Sequence, residues 1–305
     1  MSRRGCILGL GVLWPFAAVL GQLAPPNEAG VSLGQWHMLV RNVEASKKFW
    51  TMLGGTPIKI DGTDVIKLPG IFIFLKKGSP LPGGNYGATL NHVAFLVPDT
   101  EAALTRWKAA GVTTEFVRPA LGGEGGARLG YVYSPDDLRI RLNTDKSVAT
   151  SVANPLVMFW VTKAAVPEVE AWYVKMFGGK LGGAKILNGV SIAGIPGGRL
   201  NVVASAENPI SFKPAAVGLL HGVVPDEALV AKLTKDGLMQ PSKGRTLDYI
   251  GFEVSNLEAF CKKLASNGVK FDQPYSIKRH KSFASARLAD PWGTSIELTE
   301  GLRKF

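Results

Sequence analysis

The chain has 305 residues, 46% hydrophobic and 19% charged, which excludes disorder and collagen-like repeats and is enough for about two domains with cores of their own. Two cysteines, Cys6 and Cys261, exclude a disulfide framework, and four histidines (His37, His92, His221 and His280) are all that any histidine-based metal chemistry could use. The net charge of +11 is spread in pairs such as Lys47-Lys48, Lys76-Lys77 and Lys262-Lys263, plus the Lys278–Lys281 run, without a nucleic-acid-binding motif, so nucleic acid is not an expected partner.

Residues 1–21 read as an export signal: Arg3 and Arg4 precede an apolar run from Cys6 to Leu20, and Val19 and Gly21 suit cleavage after Gly21. The run is short for a membrane span, so a secreted or periplasmic location is expected, with no stable span after cleavage. An uncleaved N-terminal anchor is the alternative. Cleavage removes Cys6 and leaves Cys261 alone. Residues 22–33, with Pro25-Pro26-Asn27-Glu28, then read as a flexible lead-in.

An internal repeat sets the rest. Gln35–Gly55 (QWHMLVRNVEASKKFWTMLGG) opens the first copy. Asn91–Val112 (NHVAFLVPDTEAALTRWKAAGV) opens the second, Leu156–Gly179 (LVMFWVTKAAVPEVEAWYVKMFGG) the third and Asp248–Val269 (DYIGFEVSNLEAFCKKLASNGV) the fourth. The second and fourth align without a gap, and further on Ser134–Leu142 (SPDDLRIRL) matches Asp290–Leu298 (DPWGTSIEL). Each copy reads as a strand, a turn residue (Asn42, Asp99, Lys163 or Asn256), an amphipathic helix ending at glycine (Gly54, Gly111, Gly178 or Gly268) and short strands such as Ile71–Leu75 and Leu200–Ala204. The unit is βαβββ, four times over. Strand alternation sets Val93, Phe95 and Val97 toward the helix and His92 toward the concave side. By the same count Tyr249, Gln35, His37, Leu156, Met158 and Trp160 face the concave side.

Four such units resemble the vicinal oxygen chelate superfamily, which includes glyoxalase I, extradiol dioxygenases and bleomycin-resistance proteins; NHVAFLVPDTEAA, DYIGFEVSNLEAF and DPWGTSIEL carry the likeness across residues 34–300. The resemblance implies an α+β fold with four βαβββ modules paired into two half-open, cup-shaped barrels. It implies one domain at 34–148 from the first two units, a linker at 149–154, and a second at 155–301 with an insertion at about 205–246. It also implies metal ligands on the first and last strand of each unit. In the first domain these positions hold Gln35 and His92, with His37 beside them, but Arg141 where the family has an acid. In the second they hold Leu156, Tyr249 and Glu297. Gln35, His37 and His92 are therefore the candidate metal ligands, and the acids that normally complete such a set are missing, so either no cofactor or a weakly bound Zn, Ni, Mn or Fe is expected.

His92, Tyr249 and Glu297 are the acid–base candidates, each with a structural hydrogen-bonding role as its alternative. Arg141, Trp160 and Gln35 are the ligand-binding candidates; a guanidinium in a cup suits an anion. His280 reads as part of a solvated turn, and Leu121–Gly130 (LGGEGGARLG) as a flexible loop over the first cup. Pro225–Gly237, within the insertion, reads as a short helix preceded by His221. The reading is an exported protein that binds a small anionic or aromatic molecule in a cup with a degenerate metal site. The alternative is a metal-dependent glyoxalase-type lyase or extradiol-type dioxygenase, and a homodimer is left open.

Overall fold

A computed structural model describes residues 23–119, 128–186, 189–204 and 239–305. The export signal, His221, the helix after Pro225 and the insertion through residue 238 lie outside the described residues. So does the glycine-rich stretch up to residue 127; its last residues, 128–130, open a strand rather than continue a loop.

All four units form. Unit one comprises β1 (Val31–Val40), α1 (Val43–Met52), β2 (Thr56–Ile60), β3 (Thr63–Leu68) and β4 (Ile71–Lys77). Unit two comprises β5 (Leu90–Val97), α2 (Thr100–Ala109), β6 (Thr114–Pro119), β7 (Arg128–Tyr133) and β8 (Arg139–Thr144). Unit three comprises β9 (Ala153–Val161), α3 (Ala165–Phe177), β10 (Lys185–Ile186), β11 (Gly189–Ile192) and β12 (Arg199–Ala204). Unit four comprises β13 (Leu247–Val254), α4 (Leu257–Ser266), β14 (Phe271–Ser276), β15 (Ala284–Ala289) and β16 (Ser295–Glu300).

The helix ends follow local chemistry. Asn42, Asp99 and Asn256 each accept a hydrogen bond from the backbone N–H three residues on, satisfying a donor the helix cannot. Lys163 cannot cap; there the Thr162 hydroxyl accepts from the Ala165 N–H at 3.2 Å. Gly178 ends α3 in the left-handed conformation at φ 72°, where any Cβ is disfavoured.

Pairing departs from the expected order. The first sheet runs β14-β15-β16-β13-β1-β4-β3-β2 and the second β10-β11-β12-β9-β5-β8-β7-β6. Unit one therefore closes with unit four, and unit two with unit three, rather than one with two and three with four. The cause lies at strand edges. In each unit the first strand pairs parallel with the last, leaving its other edge open, and an open edge needs a partner. β1 meets β13 antiparallel, with His37 opposite Tyr249, and β5 meets β9 antiparallel, with His92 opposite Met158. The segment expected to link two domains at 149–154 thus connects two units of one sheet, and its last two residues already belong to β9.

Alternation puts the large apolar residues of both sheets on their helix-bearing faces, where they merge into one core. Trp36 of β1 packs on Phe95 of β5 at 5.4 Å between ring centroids, and Phe177 of α3 stacks on Phe252 of β13 at 4.4 Å. The concave faces stay separate, each with its own cluster. The lead-in expected to be flexible is pinned in its described part. The Asn27 amide donates to the carbonyls of Phe177, Gly178 and Gly194, and Leu23 is buried in the concave face of the first sheet. Residues 31–33 already belong to β1.

Candidate functional site

The regrouping of units redistributes the candidate residues. Gln35, His37, Tyr249 and Glu297 come together in the cup of units one and four; His92, Arg141 and Trp160 come together in the cup of units two and three. Gln35, His37 and His92 therefore do not form one metal set, nor His92, Tyr249 and Glu297 one acid–base set.

In the cup of units one and four, His37 Nε2 lies 2.9 Å from Glu297 Oε2, and Arg287 Nε donates to Glu297 Oε1 at 2.9 Å. A second guanidinium nitrogen donates to the Tyr249 hydroxyl, and the Arg287 guanidinium lies 4.2 Å from the centroid of that ring. The imidazole is sandwiched between Tyr249 at 3.9 Å and Phe74 at 4.6 Å. Burial alone would raise the Glu297 carboxyl; the charges and hydrogen bonds of His37 and Arg287 overcome it and hold the carboxyl at about 2. Burial lowers His37 against the pull of Glu297 beside it. Gln35, expected to face a ligand, is fully buried and donates to Thr299, whose hydroxyl donates in turn to Glu253. Gly251 makes room: a Cβ there would fall 2.3 Å from the Gln35 amide.

The cup is filled from within. Phe72, Phe74, Phe283, Ile60 and Val65 occupy its concave face, and Leu23 and Leu302 close it from the two ends of the described chain. His280 lies in the bend between β14 and β15, as expected, but it is half-buried. Its ring stacks on Phe283 at 4.0 Å and it sits close enough to feel Glu297 and His37.

The cup of units two and three is built on the corresponding strands of the second sheet and is basic. Arg139 of β8 pairs with Glu115 at 2.9 Å and lies over the Tyr131 ring at 3.6 Å. Arg141, two residues on, has no carboxylate partner among the described residues, and its Nε is buried without a hydrogen bond. Arg199 of β12 buries Nε and Nη2 in the same condition. Burial lowers Arg141, and the neighbouring charges of Arg199 and Arg139 lower it further, which places the cations close enough to repel. His92 is 3% exposed; its Nδ1 is 2.8 Å from Asn91 Oδ1, and its Nε2 has no hydrogen-bond partner among the described residues. Burial, then Arg141 and Arg139, hold its pKa well below the ordinary histidine value. The rings of Tyr131 and Trp160 stand edge-on to it, each 6.2 Å away. Leu156, Met158 and Val203 form the apolar floor with Trp160.

Sequence reasoning missed Arg287, Arg139, Arg199 and Tyr131. One signal was available for Arg287, which stands alone at an inward position of an otherwise apolar or small strand, ASARLA.

The donor chemistry can be tested against a metal at the inward positions of first and last strands. One cup offers His37, Phe74, Tyr249 and Glu297, with Glu297 already occupied by Arg287; the other offers His92, Met158, Asn201 and Arg141. In the first cup Tyr249 and Glu297 are both engaged by Arg287, the second has only His92 and Asn201 as hard or borderline donors, and no cluster of three or more His, Cys, Asp or Glu suited to a metal occurs among the described residues. The residues present do not fit a resident divalent metal.

Two eight-stranded mixed sheets of paired βαβββ units define the fold of the vicinal oxygen chelate superfamily. Solved structures carry the same fold. Glyoxalase I from Zea mays superposes with a TM-score of 0.64 at 14% identity, covering 90% of this chain and 94% of that one. A putative dioxygenase from Bacillus subtilis superposes at 0.56 and 12% identity, covering 91% and 86%. No protein-family profile and no curated protein sequence matches the chain.

Proposed function

We propose that this chain is an exported binding protein that takes a small anionic molecule into the cup of units two and three, with the metal sites of both cups degenerate. The observation that carries the reading is Arg141: a half-buried side chain whose Nε is buried without a hydrogen bond, beside two further arginines and with no ion-pair partner among the described residues. Drawing such a charge partly out of water beside other cations is unfavourable, and a bound anion offsets that cost. Tyr131, Trp160 and Met158 supply an apolar wall beside the charge, the usual composition of a small-molecule site. Export rests on the pattern of residues 1–21. No helix among the described residues is long and apolar enough to cross a membrane.

The test is thermal unfolding of the purified chain across a panel of small carboxylates, phosphates and sulfonates. A true ligand at a hundred times its Kd should add about 2.7 kcal/mol to the stability of the folded state. Arg141→Met should abolish that gain. A panel that never shifts unfolding, or a shift that survives Arg141→Met, refutes the reading. Sequencing the N-terminus of protein recovered from outside the cytoplasm tests export; an intact Met1 there would refute cleavage.

A second reading, the metal-dependent lyase or dioxygenase, is favoured by one observation: His37 and Glu297 keep two of four donor positions in the other cup, 2.9 Å apart. One tightly held transition metal per purified chain, lost in His37→Ala, would establish it.

A further inference from the structure

The basic cup contains an orphaned acceptor as well as orphaned donors, and the acceptor can be identified. Asn91 Nδ2 points to the Asn85 carbonyl at 3.5 Å, so the Asn91 amide turns its oxygen toward His92; the reverse orientation would set two carbonyl oxygens against each other. A carbonyl oxygen only accepts, so the 2.8 Å contact requires the ring hydrogen on His92 Nδ1. A neutral imidazole has one such hydrogen. Its Nε2 is then a bare lone pair, buried, without a hydrogen bond among the described residues, in a ring held edge-on by Tyr131 and Trp160. Arg141 sits on β8 opposite Ala94, one side-chain step along β5 from His92. A bare carboxylate or sulfonate satisfies the arginine and leaves the imidazole lone pair desolvated and unpaired.

We propose that the ligand of this cup joins an anionic oxygen, held by Arg141, to an O–H or N–H donor that hydrogen-bonds Nε2 of His92. Hydroxy acids, phenol acids and amino-substituted acids are the class. The inference rests on the anion reading above and narrows it, and the two can fail separately.

Nitrogen-15 spectra of the histidine-labelled full chain read the tautomer directly. The expected result for His92 is a pyrrole-type Nδ1 and a pyridine-type Nε2; a hydrogen on Nε2 overturns the proposal. Calorimetry then compares mandelate, O-methylmandelate and phenylacetate, which share an acid and a ring and differ in the hydroxyl donor. Mandelate should bind about tenfold tighter than the other two, as one buried hydrogen bond allows. His92→Phe, which keeps a ring in the cage, should close that gap, and Arg141→Met should weaken all three. Equal affinity of the three acids with dependence on Arg141 overturns the donor requirement and leaves the anion reading standing. Absence of binding by all three overturns the donor proposal, and binding indifferent to Arg141→Met overturns both. Zinc alone that binds the wild type, moves the Nε2 resonance and fails with His92→Phe would assign the lone pair to a metal and overturn the proposal.

Discussion

The two cups share one topology and differ in how they balance charge. Glu297 and Arg141 occupy corresponding positions on the last strands of units four and two, and that exchange reverses the field inside each cup. With the acid, the cup neutralises itself: Glu297 takes a hydrogen bond from Arg287 and lies 2.9 Å from His37 Nε2, aromatic rings fill the space, and Leu23 and Leu302 close it. With the arginine, the cup keeps its charge: Arg141, Arg199 and His92 hold buried polar atoms without partners among the described residues. One barrel has become core, and the other has kept an unmet electrostatic demand. The lesson is that fold likeness alone does not locate a site in a duplicated architecture; the local charge balance does.

The comparison breaks most sharply at Glu297. Glu297→Ala strands Arg287 and His37 in an apolar cup and should cost about 3–5 kcal/mol in urea unfolding. Arg141→Met, at the corresponding position of the other cup, should leave unliganded stability unchanged or raised; equal losses at the two positions would erase the distinction. Acid provides the next test. The Glu297 carboxyl sits at about 2 in the folded chain against an ordinary 4.5, so its contribution is complete above pH 4.5 and is lost as the pH falls toward 2. The loss should reach on the order of 3 kcal/mol, and should be missing from Glu297→Gln. Leu23→Ala should cost about 2 kcal/mol, because it removes a buried side chain from the filled cup. If that variant unfolds like wild type, the N-terminal segment is no part of the closure. The smallest effect is expected from Arg141→Glu. Beside His92 and Asn201 it supplies the missing acid, and zinc affinity measured by competition with a chelator should rise from none to weak.

Much of the fold was legible because its determinants are local. The caps at Asn42, Asp99 and Asn256, the helix stops and the inward or outward sense of His92, Tyr249, His37 and Trp160 follow from backbone hydrogen bonding and the two-residue strand period. Four similar units also announce themselves by repetition. Site composition is legible only one strand at a time: alternation sets His92, Arg141 and Trp160 on a concave face, but the expected pairing of units separates Trp160, in a domain at 155–301, from the other two, whereas the structure brings the three into one cup.

What the sequence determined by itself is therefore the unit, its count and the face each side chain presents. Which unit meets which was left to tertiary structure, because four copies of one pattern present equivalent open edges, and the choice among them depends on contacts between residues more than a hundred positions apart, such as His37 with Tyr249. The partnership of Glu297 with Arg287 and His37, and the isolation of Arg141, follow from that choice. Charge balance in a buried cup is a property of whichever strands enclose it.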